Sequence, residues 1–267
     1  MAEVSASFTG SIPDFYDSCL GPAWFDAFAA DLAERLPHKP PGDVLEIGRG
    51  TGLVTRRARE RLDSEGRLVA TDRSKAMLEY ARAKLSVRKD IEWREADAVD
   101  LPFGDGEFGA VLCAFGVIFV PEKLAAFREA RRVLKPVGTF LFNVWDRIEE
   151  NPHAAANAKV LSGLFPGDKE MSSTSPYEMY GRALLERLLT EAGFREMRFD
   201  KKRVQVDGVS ARTIAIGHIR GSPRSLLLEK RGVPVDEVID LATAAIAAVG
   251  GADPYRASVQ AVVVEAS

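Results

Sequence analysis

Apolar residues recur along this chain at two periods, and the alternation between them lays out an α/β protein. Val44-Leu45 and Ile47, around Glu46, read as a short buried strand, and Leu53 to Leu62 follows as a helix. Arg67 to Asp72 is a second strand. Ser74 is placed to N-cap the next helix, which runs through Met77, Ala81 and Leu85. Asp90 to Glu95 is a third strand, closed by Ala96-Asp97-Ala98. Gly109 to Gly116 is an unbroken apolar run, as a strand covered on both faces requires. Glu122 to Lys135 is helical with Leu124, Phe127, Ala130 and Leu134 inward. Lys135 to Gly138 is a turn, and Thr139 to Trp145 is the fifth strand. Strand and helix in strict succession specify a parallel sheet with helices on both faces.

The flanks have a different texture. Met1 to Gly10 is small and polar, a loose end. Tyr16 lies in a segment that ends in a Gly21-Pro22 break, and Ala23 to Leu36 is an amphipathic helix with Phe25, Phe28, Leu32 and Leu36 on one side. Residues 151–180 carry three prolines, a serine-rich run and two tyrosines, and read as an insertion. Gly181 to Ala192 is an apolar helix closed by Gly193. Phe194 to Val206 is a sixth strand, and Ala257 to Glu265 a seventh. Between them Ser222-Pro223 is expected to start one helix, and Val235 to Val249 to form another.

Composition narrows the class. Apolar content of 46% and charged content of 28% are those of an ordinary globule. A net charge of −3 offers no basic field for nucleic acid. Cys19 and Cys113 make no disulfide framework; Cys113, in its apolar run, is expected to be a buried thiol. No stretch approaches the roughly 20 apolar residues of a membrane span. With no basic-then-apolar leader, the expected compartment is cytoplasmic. Three scattered histidines and no Cys–His cluster argue against a metal site. Oligomeric state stays open.

The chemistry concentrates after the first strand. Gly48-Arg49-Gly50-Thr51-Gly52 is a glycine turn between a strand and a helix, which places a nucleotide-type site at the carboxyl edge of a parallel sheet. Asp72, at the end of the second strand, falls where a carboxylate meets ribose hydroxyls in doubly wound folds. Asp97 closes the third strand. The G-x-G-x-G spacing, with an acidic residue in the preceding strand, resembles motif I of the class I methyltransferases, which bind S-adenosyl-L-methionine. Together with Asp72, Asp97 and Leu134-Lys-Pro-Val-Gly-Thr-Phe-Leu-Phe, the resemblance covers residues 44–145. It points to small-molecule methyltransferases of the ubiquinone/menaquinone-biosynthesis-like (type 11) group. No Asn/Asp-Pro-Pro-Tyr run follows the fourth strand, which separates the chain from nucleobase and amide N-methyltransferases.

The resemblance implies a Rossmann-like, mostly parallel seven-stranded sheet with an antiparallel last strand and helical lid insertions. It divides the chain into a helical segment over the cofactor site (1–40), a cofactor-binding core (41–146), a lid insertion (147–180), a core helix and strand six (181–206), a helical cap (207–255) and strand seven (256–267). It further implies that Glu46, Gly48, Gly50 and Gly52 shape the methionine end of the site, Glu46 by accepting nearby N–H groups. Asp72 takes the ribose and Asp97 the adenine. Tyr16, Arg73, Met77, Ala98, Cys113 and Phe115 complete the cofactor set, with Tyr16 closing over it. The reaction expected is methyl transfer to a small organic acceptor, leaving S-adenosyl-L-homocysteine. A binding module without turnover and an NAD-dependent oxidoreductase are the alternatives. The third glycine, one residue early, and Asp97 count against NAD.

Methyl transfer needs alignment more than a fixed set of catalytic groups. His153, His218 and Tyr180 are weak candidates for a base, each with an ordinary surface or packing role as the plain alternative. Tyr177 could line the acceptor pocket, and Phe115, Phe119 and Trp145 its apolar wall. Two positions depart from the group: 49 is ordinarily small and here is Arg49, and the arginine common after Tyr16-Asp17 is here Ser18. One explanation is a relocated charge, with Arg49 meeting the cofactor's carboxylate. Others have Arg49 pointing away, or blocking the site. Ala114 stands where glutamine is common.

Overall fold

The computed structural model describes residues 10–63 and 66–267. The expected loose end therefore lies, except for Gly10, outside the described residues. β1 (Asp43–Ile47), β2 (Leu68–Asp72), β3 (Ile91–Glu95), β4 (Phe108–Ala114), β5 (Leu134–Trp145), β6 (Met197–Gln205) and β7 (Ser258–Ala266) form one sheet in the order β3-β2-β1-β4-β5-β7-β6. β1 to β5 are mutually parallel. β7 runs antiparallel to both neighbours, pairing Phe142 with Val264 on one side and Phe199 with Val264 on the other. The order reverses between β1 and β4, the position at which open α/β sheets bind ligands.

Alternation along each strand splits the core in two. Leu45, Ile47, Val69, Val111, Phe140 and Phe142 face α5 (Lys123–Val133) and α7 (Arg182–Ala192), against Phe127, Leu185 and Leu189. Val44, Leu68, Ala70, Ala110, Leu112 and Leu141 face α2 (Asp26–Arg35) and α3 (Leu53–Arg61), against Leu32, Val54 and Ala58. Each leucine, isoleucine, valine and phenylalanine among them contributes about 1.5–3 kcal/mol on burial.

Three local expectations are corrected. Gly21-Pro22 does not break the chain. Helix runs from α1 (Ile12–Phe15) through a π-helical stretch (Tyr16–Phe25) into α2, with Pro22 inside it. Pro22 donates no N–H within it, and Leu20, Ala23 and Trp24 fix the segment by burial. Residues 135–138 are not a separate turn but a bulge within β5: Leu134 pairs with Phe108 and Thr139 with Ala110. Ser222 caps no helix. Its hydroxyl donates back to His218 O at 2.7 Å, and α9 (Arg224–Lys230) starts beyond Pro223. Other signals hold: Ser74 Oγ accepts from Met77 N at the start of α4 (Lys75–Lys84), and Gly193 ends α7 in the left-handed region. Cys113 is a buried free thiol, as is Cys19.

The insertions fold as a helical layer. α6 (Pro152–Leu164) and α8 (Ala211–Ile219) pack against α10 (Val235–Gly250), and α8 also packs on the π-helical stretch. Among the described residues no helix is long and apolar enough to cross a membrane, and no His/Cys/Asp/Glu group is placed to hold a metal ion.

Candidate functional site

The turn after β1 is built by close approach. Gly48 has φ +64°, and a Cβ there would stand 3.2 Å from Gly116 Cα, so the loops after β1 and β4 touch where the sheet order reverses. Gly50, at φ +55°, has no heavy atom within 4 Å of a Cβ position; its requirement is conformational, and that side is open. Glu46 ties the two ends of the turn together: Thr55 Oγ1, in the first turn of α3, donates to its Oε2 at 2.5 Å. The Thr55 backbone N–H also bonds this carboxylate, so the nearby N–H comes from the start of α3 and is joined there by a hydroxyl. Burial dominates the Glu46 carboxyl and pushes its pKa up to about 7.

Asp72 laces the neighbouring loops. Its Oδ2 accepts from Gly50 N at 2.9 Å and its Oδ1 from Ser74 N at 2.8 Å. Burial raises its pKa against those two bonds. Asp97 Oδ1 accepts from Val99 N, and its Oδ2 lies 3.5 Å from Arg73 Nε.

These groups border a cavity of about 440 Å³ outside the carboxyl ends of β1, β2 and β4. Tyr16, Gly48, Arg49, Gly50, Asp72, Arg73, Met77, Asp97, Ala98 and Phe115 all line it. Glu46, Gly52 and Cys113 do not. Glu46 and Gly52 brace the turn from behind, Gly52 as the left-handed N-cap of α3. Cys113 Sγ sits beneath the contact between Gly48 and Gly116, where burial drives its thiol up to about 12. The lining also takes Phe25, Ala96, Val99, Val117, Val120 and Glu122, which the sequence did not mark as site residues. No residue of 147–180 or 207–255 is in it.

Arg49 is only 4% exposed. Its Nη2 donates to Met77 O at 2.7 Å, and the guanidinium lies 4.6 Å over the Trp93 ring. Nε and Nη1 have no protein partner. Burial lowers its pKa to about 10, against the pull of Asp72 and Glu46. Ser18 is exposed and donates to Asp14 O. The preceding residue, Asp17, is buried and receives Tyr80 and Lys84 of α4, pinning the N-terminal helix across the cavity.

Behind Tyr16 and Phe25, which stack at 4.8 Å, Phe115 and Trp145 form an aromatic wall with centroids 4.4 Å apart. Phe115 is the one non-glycine described residue with positive φ, +54°; its N–H donates to Asn143 O and Oδ1. His153 and His218 lie beyond that wall, stacked on each other at 5.0 Å, and Tyr180 is 43% exposed. None of the three lines the cavity, and neither does Tyr177, which stacks on Trp145 at 5.6 Å. Phe119 is in the lining; Trp145 stands behind it.

Comparison with known proteins follows this geometry. The family described as methyltransferase domain matches residues 45–142. The ubiquinone/menaquinone biosynthesis C-methyltransferase UbiE of Idiomarina loihiensis is 41% identical over 101 residues, which are 37% of this chain and 40% of that protein. The chloroplastic 2-phytyl-1,4-beta-naphthoquinone methyltransferase of Arabidopsis thaliana is 39% identical over 98 residues, 35% of this chain and 38% of that protein. The matched stretch thus spans about two fifths of the length of these relatives. In fold, the chain is similar to phosphoethanolamine N-methyltransferase 2 of Haemonchus contortus, with TM-score 0.59 and 17% identity over 96% of this chain and 56% of that one. It is similar also to a SAM-dependent methyltransferase of Aquifex aeolicus, with TM-score 0.51 and 20% identity over 73% of this chain and 91% of that one.

Proposed function

From a chain that belongs, through residues 45–142, to the class I methyltransferases, we propose an enzyme that moves a methyl group from S-adenosyl-L-methionine to a small organic acceptor. One observation carries the proposal: a single cavity at the sheet's point of reversal gathers the Gly48–Gly50 turn, Asp72 and Asp97, each from a different strand end. The cavity fits an elongated adenosyl ligand. Its open side over Gly50 leaves backbone room at one end, and carboxylates at two further points suit hydroxyl and amino donors. The same carboxylates suit a positively charged ligand.

When bound, S-adenosyl-L-methionine supplies an electrophilic methyl on a sulfonium and departs as a neutral thioether, S-adenosyl-L-homocysteine. The chain's share is then binding, alignment and exclusion of water. Asp72 offers the lone pairs left by Gly50 and Ser74 to ribose hydroxyls, and Asp97 accepts from the adenine amino group. Met77 and Ala98 flank them. Tyr16, Phe25 and Phe115 close the far side with aromatic surface, leaving the reacting end dry. No histidine lines the cavity among the described residues, and the proposed mechanism rests on positioning.

Calorimetry with S-adenosyl-L-methionine tests the binding half. Saturable binding to the wild type is expected, weakened about 10–100-fold in Asp72→Ala, the loss of charge-assisted hydrogen bonds worth about 1.5–3 kcal/mol. No binding, or equal binding of NAD, would overturn it. Incubation with a panel of small acceptors should then release S-adenosyl-L-homocysteine. Tight binding with no release on any acceptor would replace the enzyme by a binding module.

A further inference from the structure

Beyond the aromatic wall lies a polar cluster that the cofactor cavity does not use. Trp24 and His153 approach to 4.3 Å between ring centroids, and His153 and His218 to 5.0 Å. The buried Trp24 Nε1, both ring nitrogens of His153, and His218 Nε2 have no hydrogen-bond partner within the protein. Each buried polar atom left so costs about 1–3 kcal/mol; these four are closed in by their neighbours, and accessible surface beside them is kept by Tyr16, Tyr177, His218 and Arg224. Arg224 stands beside His218 and Tyr177. It is held by two carbonyls, Met171 O at 3.2 Å and Ser173 O at 2.9 Å, rather than by a carboxylate. Its positive charge is therefore uncompensated.

His218 and Tyr177, unlike His153 and Trp24, keep some accessible surface although burial governs their protonation. His218 is driven down to about 3, and the Tyr177 phenol is raised. Both are uncharged at neutral pH. Tyr177 in turn neighbours Tyr16, which borders the cofactor cavity, and stacks on Trp145. A continuous path of side chains therefore leads from the cofactor cavity to the histidine pair.

Building on the methyltransferase proposal, we propose that the space between Tyr16, Tyr177, His218 and Arg224 is the acceptor pocket, taking a flat molecule that bears an acidic oxygen. Arg224 meets the negative charge. The stacked rings of Trp145 and Tyr177 match a planar body, and the neutral His218, backed by the fully buried His153, meets a second polar group.

Benzoate and benzyl alcohol, alike in size and different in charge, are the probes. The full chain contains three histidines, and His38 is exposed, so its imidazole serves as an internal reference in nitrogen-15 spectra of histidine-labelled protein. Benzoate should shift the ring nitrogens of His218, and those of His153 less, leaving His38 in place. It should bind at least about 10-fold more tightly than benzyl alcohol, in keeping with a hydrogen bond to a charged group. Saturation with S-adenosyl-L-homocysteine should leave those shifts intact. Arg224→Gln should remove the preference for benzoate and Arg224→Lys should retain most of it. If Arg224→Gln fails to fold, the wild-type shifts alone decide. Unmoved His153 and His218 rings, or benzoate displaced by S-adenosyl-L-homocysteine, would overturn the assignment. Calorimetry of the cofactor is independent of these readouts: cofactor binding without histidine shifts refutes the acceptor pocket only, and histidine shifts without cofactor binding refute only the methyltransferase proposal.

Discussion

Arg49 shows how one side chain can be anchored and unfinished at once. Its Met77 carbonyl and Trp93 ring fix the guanidinium, while Nε and Nη1 stay unpartnered in a buried setting. If those donors meet the cofactor's carboxylate, Arg49→Ala should weaken S-adenosyl-L-methionine binding by about 10-fold or more in calorimetry. Unchanged affinity would leave Arg49 as a brace between the glycine turn and α4. Sequence could not choose between these. Position 49 is local to the turn, but Met77 and Trp93 reach it only through the packing of α4 on β3. Gly48, Gly50, Asp72 and Asp97 were legible because each stands at the end of a strand that a short-range pattern marks, and the parallel sheet then brings strand ends together.

Single elements repeat that contrast. Apart from the starts of β5 and β6, the core strands and helices were readable to within a residue or two, since their apolar period is local. The π-helical stretch across Gly21-Pro22 was not. Proline and glycine punctuate most chains, and only the burial of Trp24 and Leu20 against α8 carries the helix through them. The loop after β4 stores its own strain. Phe115 takes a left-handed conformation because two acceptors of Asn143 hold its N–H and three rings, Phe25, Phe28 and Trp145, hold its side chain. That conformation costs a residue with a Cβ about 1–2 kcal/mol. Replacing Phe115 therefore loses ring packing in every variant, by about 3–5 kcal/mol for alanine. Phe115→Gly should nevertheless be more stable than Phe115→Ala by about 1 kcal/mol in urea unfolding, the reverse of the usual order. Equal stabilities would show that the loop relaxes once the ring is gone.

The whole molecule carries its acid sensitivity in the helical layer. Histidine in an unfolded chain titrates near 6.5, whereas burial holds His218 at about 3 and His153 well below its ordinary value. Below pH 6.5 the unfolded state takes up protons that the native state refuses, so stability falls as pH falls. Glu46 works the other way. Its raised pKa stabilises the fold below the ordinary carboxylate range, and that contribution is lost as pH rises through about 7. Comparing His218→Phe with the wild type isolates one term. The stability difference should move in favour of the variant by up to about 1.4 kcal/mol per pH unit between pH 6 and 4, and stay flat above pH 7. Parallel unfolding curves at all pH values would refute it. None of this was visible in the sequence, where His153 and His218 are far apart and become neighbours only when α6 and α8 meet.

The placement of β7 between β5 and β6 has a consequence for how the molecule is made. β6 touches the sheet only through β7, which leaves the ribosome after α8, α9 and α10. During synthesis the Phe140–Val144 edge of β5 is therefore bare, and β6 has nothing to join. Nascent chains at that stage present an open, apolar strand edge to any other chain nearby. β7 is the strand that seals it, and crowding by sister chains on one messenger is the hazard this topology has to outrun.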